Sequence, residues 1–242
     1  MSGHSKWSTI KRQKEKTDAK RGFTFTKLSN AITIAVKQGG GVADPNQNFR
    51  LRLAMDSARA LNMPKENIER AIQRAVKKDT GDLEEVIYEG FAPGGVSVII
   101  EAVTDNSLRT TSEIKSLFNK SGASFGQPGS VSYQFSQIGE IEIEKTGKTF
   151  DEIFAIAAED GAEDVEDLGD SVVVYTEISS LGKIRNALSD QGLKILSASL
   201  SRKPNITVEV GDKEKLGKIK SFLDTLDSMD DVQNVYSNLV EV

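Results

Sequence analysis

The sequence predicts an α+β protein: an N-terminal helical domain with a basic arm, followed by two ferredoxin-like (split βαβ) α/β domains, one inserted in the other. Two patterns carry that expectation. Apolar residues recur at three- and four-residue spacing throughout residues 23–76, whereas alternating apolar runs and helical stripes share the chain after Gly81. The later segments also fall into a half, a whole and a half of the β-α-β-β-α-β series. A length of 242 residues suits one large domain or two to three small ones.

The first 21 residues hold Trp7 and Ile10 but few other large apolar side chains, so they are expected to form a poorly anchored arm. Phe25, Leu28, Ile32, Ala35 and Val36 mark the first helix, stopped by Gly39-Gly40-Gly41. Asp44-Pro45-Asn46 restarts a helix with Leu51, Ala54, Ala58 and Leu61 on its buried face. Pro64 opens a third helix, buried through Ile68, Ile72, Ala75 and Val76. Residues 1–80 therefore read as one arm and one small bundle.

Tyr88 to Gly95 reads as a loop before a strand at Val96–Ile100. A helix through Ile114 and Phe118 follows, then a strand near Val131–Phe135. The next module has strands at Ile141 and Ile143, near Val165, at Val172–Tyr175 and at Leu193–Ala198. Its helices run through Ile153 and Phe154 and through Leu181, Ile184 and Leu188. A strand at Ile206, Val208 and Val210, a helix through Leu216, Ile219, Leu223 and Leu226 and a strand at Val235 close the chain. A lone half would expose its sheet face and edges. Residues 81–136 and 204–242 are therefore expected to pair as one discontinuous domain around an inserted 137–203 domain. Three consecutive domains are the competing arrangement.

Charge is divided along the chain. Residues 1–80 hold 17 Lys+Arg and 7 Asp+Glu, net +10, while the remaining 162 carry a net −15. Such asymmetry points to a polyanion-binding end on a body that stays off the polyanion. Two solvated surfaces of opposite sign that attract each other are the plainer alternative. Within the first 27 positions only Glu15 and Asp18 offset Lys6, Lys11, Arg12, Lys14, Lys16, Lys20, Arg21 and Lys27. On a single helix Arg12, Lys16, Lys20 and Lys27 fall within an arc of about 80°, opposite Phe25, Leu28, Ile32 and Val36. These cations, with Trp7, form the expected nucleic-acid-binding surface, because phosphate binding by counterion release needs no preformed pocket. Arg50, Arg52, Arg59, Arg70 and Arg74 either extend it or form helix salt bridges. Trp7, Phe23 and Phe25 suit base stacking, but core packing explains them better.

Several function classes drop out. There is no cysteine, which removes disulfides, Cys-zinc sites, Fe–S clusters and thiol nucleophiles, and a reducing cytoplasm is the expected location. His4 is the only histidine, so multi-His metal sites are excluded. No apolar run approaches the roughly 18 residues of a membrane helix, and no signal peptide is expected at the start of the chain. Gly147-Lys148-Thr149 resembles the end of a phosphate-binding loop, but Glu142 stands where its first glycine belongs. The acidic run Glu159–Asp167 lacks the alternating spacing of a calcium loop and reads as a solvated strand edge. No enzyme, cofactor or metal is expected. Two glycine-bearing loops remain as candidate contacts: Phe91, Gly94 and Gly95 in one, Phe125 and Gly126 in the other, with Phe125 as a finger at a loop tip.

Gly3-His4-Ser5-Lys6-Trp7, Asp18-Ala19-Lys20-Arg21-Gly22, Phe25-Thr26-Lys27, Gly39-Gly40-Gly41 and Asn62-Met63-Pro64 together resemble the YebC/PmpR family. So do Tyr88-Glu89-Gly90-Phe91, Pro93-Gly94-Gly95 and Gly129-Ser130-Val131. The likeness spans essentially the whole chain, and that family includes the mitochondrial translational activator of cytochrome c oxidase subunit I. Phe91-Ala92-Pro93 departs from relatives that often have Gly before the Pro. The resemblance implies a helical N-terminal domain, two α/β domains and a role in gene expression, divided between DNA-binding transcription regulators and ribosome-associated translation factors. The expected function is a non-enzymatic, RNA-binding factor that grips rRNA or tRNA on the ribosome; a DNA-binding transcriptional regulator is the alternative. A monomer is expected.

Overall fold

A computed structural model of the chain describes residues 18–77, 83–145 and 147–240, with side chains from Gly22 onward. The protein is α+β, with helices first and two antiparallel four-stranded sheets after them.

Three helices, α1 (Asp18–Gln38), α2 (Phe49–Ala60) and α3 (Lys65–Val76), form the bundle. Ile32, Ala35 and Val36 of α1 meet Leu51, Met55 and Ala58 of α2 and Ile68, Ala71 and Ala75 of α3 in one core. The turn into α2 is held by buried Asn48. Its Oδ1 accepts from the Leu51 amide at 3.0 Å, and its Nδ2 donates to Ala35 O at 2.9 Å and Val42 O at 3.0 Å. One side chain thus caps α2 and ties it to the end of α1. Gly39 is required there, because a Cβ would sit 2.2 Å from Asn48 Nδ2. The helix begins after Asn48 rather than at Asp44–Asn46, which forms a turn. Leu61 and Val76, expected inside, are half exposed, since each lies where its helix runs past the bundle core.

The first sheet contains β1 (Glu84–Phe91), β2 (Ser97–Thr104), β3 (Ser124–Phe125) and β9 (Val232–Ser237), in the order β3-β1-β2-β9. The sheet therefore takes strands from both sides of the second sheet in sequence. β1 corrects the sequence reading: it is no loop but pairs with β2 along its whole length, from Glu84↔Thr104 to Phe91↔Ser97. α4 (Ser107–Lys120) and α7 (Lys213–Asp227) cover one face through Ile114, Phe118, Phe222 and Leu223. On the other face Ile99, Val131, Phe135 and Tyr236 form a smaller cluster.

The second sheet contains β4 (Phe135–Glu144), β5 (Asp164–Asp167), β6 (Ser171–Thr176) and β7 (Ile195–Pro204), ordered β5-β6-β4-β7. With α5 (Phe150–Glu159) and α6 (Leu181–Asp190) this is the split β-α-β arrangement. The strands expected near Val131–Phe135 and at Ile141 are one ten-residue strand, β4, entered by a 3₁₀ turn over Ser132–Gln134. The expected strand at Ile206–Val210 shrinks to β8 (Val208–Glu209), which pairs in parallel with β10 (Leu239–Val240) and leaves Ile206 exposed. Thr149 caps α5 in a reciprocal box with Glu152, which is what Gly147-Lys148-Thr149 does here.

The bundle sits on both sheets. Lys27 Nζ donates to Asp227 O at 2.6 Å and lies 3.5 Å from Asp227 Oδ1, while Lys37 Nζ donates to Leu83 O at 3.3 Å. On the other side Asp56 pairs with Arg185 at 2.8 Å, Leu53 enters the second core, and the Phe49 ring packs on Gly182. The sheets are joined by Arg202 of β7, whose Nε donates to Glu101 of β2 at 2.8 Å. Glu101 also accepts from Asn234 Nδ2 at 3.0 Å and from the Tyr236 hydroxyl at 3.2 Å. Burial pushes the Tyr236 phenol well up, and the Glu101 carboxylate beside it adds to the shift. Removing one partner of such a pair strands the other charge. Glu101→Ala is expected to cost about 3 kcal/mol, read as a lower urea midpoint with an unchanged slope; a loss below about 1 kcal/mol contradicts this joint.

Candidate nucleic-acid interface

Lys6, Trp7, Lys11, Arg12, Lys14 and Lys16 lie outside the described residues, and so does His4. Lys20 and Arg21 fall in the first turn of α1, whose backbone alone is described there. Lys27 departs from the expected phosphate-facing role, because its ammonium is held against Asp227 and lies 4.7 Å from the Phe23 ring centroid. The side of α1 opposite the bundle core thus meets the end of α7 at this level. Phe25 packs into the bundle.

The arginines named as possible extensions separate into two groups. Arg50 bonds to Gln38 Oε1, Arg52 donates to Pro45 O at 3.1 Å, and Arg59 pairs with Asp56 at 3.1 Å. Arg70 and Arg74, with Lys77, make no ion pair or hydrogen bond among the described residues, and all three are exposed. Their spacing of four and three places them on one stripe of α3. Thr33 of α1 reaches Ala71 O at 3.4 Å, and Asn30 shares a cleft with Arg74, so the two helices run antiparallel. The stripe therefore points toward the first turns of α1, where Lys20 and Arg21 stand. Arg109, across the same cleft, is neutralised by Asp105 and Asp231, each at 3.0 Å.

The two candidate loops differ in what they expose. Gly94 and Gly95 form the exposed turn between β1 and β2. Phe91 is partly buried against Ile99, Val131 and Tyr236. Phe125 is not a protruding finger. Its ring packs edge-on against Phe118 at 5.6 Å and tilted against Tyr88 at 6.1 Å, with the Lys115 ammonium 5.1 Å above it. The exposed surface of that loop is Gln127-Pro128-Gly129, followed by Tyr133, whose exposure of 71% makes it the aromatic on offer.

A buried carboxylate shapes this loop. Glu89 of β1 is 6% exposed and accepts from the amides of Gly129 at 2.8 Å, Val131 at 2.7 Å and Ser132 at 2.9 Å. Burial by itself raises a carboxyl pKa, but three amide donors outweigh it and hold Glu89 below the usual range. Gly126 must be glycine, because a Cβ would meet Ser130 Oγ at 2.2 Å and Glu89 O at 3.1 Å. Gly129 takes φ +88°, in the left-handed region. Sequence reading passed over Glu89 because its partners lie some 40 residues downstream. Glu89→Ala is expected to lower amide-exchange protection at Gly129, Val131 and Ser132 at least tenfold. Since the folded pKa is depressed, the carboxylate's stabilisation is present above its unfolded value and disappears as pH falls through the folded one. Protection that survives Glu89→Ala unchanged contradicts this role.

Comparisons with known proteins bear on the whole chain. The family model described as the TACO1/YebC N-terminal domain matches residues 5–78, and the one for the TACO1/YebC second and third domain matches residues 83–239. A protein named probable transcriptional regulatory protein from Chloroflexus aggregans is 46% identical over 99% of this chain and 95% of its own length. A protein of the same name from Roseiflexus castenholzii is 47% identical over 99% and 95%. The crystal structure of a conserved hypothetical protein from Aquifex aeolicus superposes with a TM-score of 0.89 at 41% identity, covering 96% of each chain. With matches to both domain models and relatives at this identity over nearly its full length, the chain belongs to the TACO1/YebC family.

Proposed function

We propose that this protein is a non-enzymatic, nucleic-acid-binding regulator of gene expression, and that its ligand is rRNA or tRNA on the ribosome. One observation carries the reading: positive charge is concentrated in the first 80 residues, and the described part of it that faces solvent without an acid partner includes, besides Arg50 beside Gln38, a stripe of Arg70, Arg74 and Lys77 aimed at the start of α1. Lys6, Lys11, Arg12, Lys14, Lys16, Lys20 and Arg21 continue that surface and grip phosphates, and Lys27 fixes the geometry from behind. Affinity of this kind comes from counterion release and is indifferent to base sequence.

The acidic sheets act as a shaped body. The Gly94-Gly95 turn and the loop through Gly126, stiffened by Glu89, present backbone and Tyr133 to RNA without carrying net charge to it. Phe91 and Phe125 brace these loops from inside. No cofactor or metal enters the proposal, and the protein acts in the cytoplasm as a monomer. No helix among the described residues is long and apolar enough to cross a membrane.

A second reading, DNA-binding transcriptional regulation, is favoured by the names borne by the relatives. It uses the same cations, so the ligand decides between the two. The full chain, sedimented with ribosomes before and after nuclease treatment, is expected to co-migrate with ribosomes. A chain carrying Arg12→Gln, Lys16→Gln, Lys20→Gln and Arg74→Gln is expected to lose at least tenfold in ribosome occupancy. Failure of the unaltered chain to co-migrate, with protection of a specific promoter fragment, would replace the first reading with the second.

A further inference from the structure

The body of the protein is not evenly acidic. Of the 14 Lys+Arg after residue 80, five gather at one end of the first sheet: Lys120, Lys213, Lys215, Lys218 and Lys220. Topology brings them there. β2 leaves the Gly94-Gly95 turn at Ser97 and ends at Thr104, just before α4 begins. α4 then runs back along the sheet. Its Phe118 ring lies 2.5 Å from where a Cβ of Gly90 would sit, and Gly90 pairs with Val98 near the start of β2. Lys120, the last residue of α4, therefore stands at the turn end of the sheet. α7 starts at the same end, with Ile219 Cδ1 3.7 Å from the position of a Gly94 Cβ and Phe222 edge-on to Phe118 at 5.0 Å. It finishes at Asp227, which holds Lys27 of the bundle.

Few acids meet these lysines. Asp212 is spent on capping α7, where it accepts from the amides of Glu214 at 2.9 Å and Lys215 at 3.1 Å. Those amides, and more weakly the Lys215 and Lys218 charges, hold its carboxyl below the usual range. Glu214 pairs with Lys218 at 2.7 Å. Lys120, Lys213 and Lys215 are exposed, and their ammonium groups make no ion pair or hydrogen bond among the described residues.

The order of charge along α7 also runs against the helix. A helix favours acids in its first turn and cations in its last. α7 carries four lysines in its first half and no cation in its last turn, which holds Asp224 and Asp227. Asp227 is explained by Lys27. Nothing among the described residues explains Lys213 and Lys215, and local choices that oppose their own element are expected at functional positions.

We infer that this end of the first sheet is a second phosphate-binding surface, in which Lys120 of α4 and Lys213 and Lys215 of α7 flank the Gly94-Gly95 turn. The turn brings backbone without charge, and the lysines beside it bring the charge. The length of α7 sets this surface about 22 Å from the bundle, close to six base steps of a duplex strand at about 3.4 Å each. The ligand is then a folded nucleic acid, gripped by the bundle at one end of α7 and by these lysines at the other. The inference rests on the nucleic-acid reading above and adds to it a place and a minimum span.

Binding of bulk tRNA to the full chain, measured across a potassium chloride series, tests it. Lys120→Gln/Lys213→Gln/Lys215→Gln is expected to lose at least tenfold in affinity at low salt and to flatten the log–log slope by about 2 units. Lys148→Gln/Lys183→Gln/Lys194→Gln removes the same charge from the second-sheet module and is expected to change affinity less than twofold. Because Lys213 and Lys215 oppose the helix dipole, the first variant is expected to keep or raise its Tm, which separates a weaker grip from a damaged fold. Unchanged binding in that variant, or an equal loss in both, overturns the inference and leaves the nucleic-acid reading standing. A lowered Tm assigns the lysines a structural role and overturns it as well. Two tRNA molecules per chain would contradict a ligand shared by the two surfaces. An unaltered chain that binds neither tRNA nor duplex DNA at low salt overturns the nucleic-acid reading and this surface with it.

Discussion

Attraction between a cationic head and an anionic trunk within one chain is the constraint that every other feature must accommodate. Left unchecked, a +10 segment beside a −15 remainder would consume its own charges in internal pairs. The fold limits that consumption. Lys27 and Lys37 are spent on seating α1, and the reverse pair Asp56–Arg185 seats α2 beside the apolar contacts of Leu53 and Phe49, so the bundle is held from two sides. Arg70, Arg74 and Lys77 stay outside because α3 turns its apolar face, Ile68, Ala71 and Ala75, to the core and the opposite face to solvent. Which cations remain for a partner is decided by helix rotation, and helix rotation is decided by the apolar stripe.

The two sheets add stiffness where the bundle adds charge. Arg202–Glu101 ties one sheet to the other across a partly buried joint, and Glu89 ties a loop to β1 through three backbone amides. Both carboxylates are interior groups whose partners are far away in sequence. The outcome is a loop tip with a defined shape, Gln127-Pro128-Gly129, placed on a body whose net charge is negative. Shape there and charge elsewhere is a division of labour on which the proposed nucleic-acid reading draws.

Much of this was legible in residue order. Three-and-four spacing located α1, α2 and α3, because the bundle core takes an apolar stripe from each, and short apolar runs located β2 and β6, which are buried on both faces. Reading failed where a local pattern served a distant contact. Tyr88-Glu89-Gly90 looks like a turn, yet Gly90 is small because a Cβ would strike Phe118 and Ser124 O at 2.5 Å, and Glu89 is a strand residue serving a remote loop. Phe125 looked like a tip because glycines surround it, but Phe118 and Tyr88 claim its ring. Lys27 was indistinguishable from its neighbours until α7, 200 residues later, supplied Asp227. Arg52 and Arg59 could not be told from Arg70 and Arg74 until the fold showed which had acceptors within reach.

Central to the account is that the head binds a polyanion through many separate phosphate contacts. The dissociation constant of the full chain for a single-stranded RNA, measured across a potassium chloride series, tests this most directly. Five or more contacts give a log–log slope of affinity against salt of about −3.5 or steeper. A slope shallower than about −1, or no measurable binding at low salt, would contradict the account.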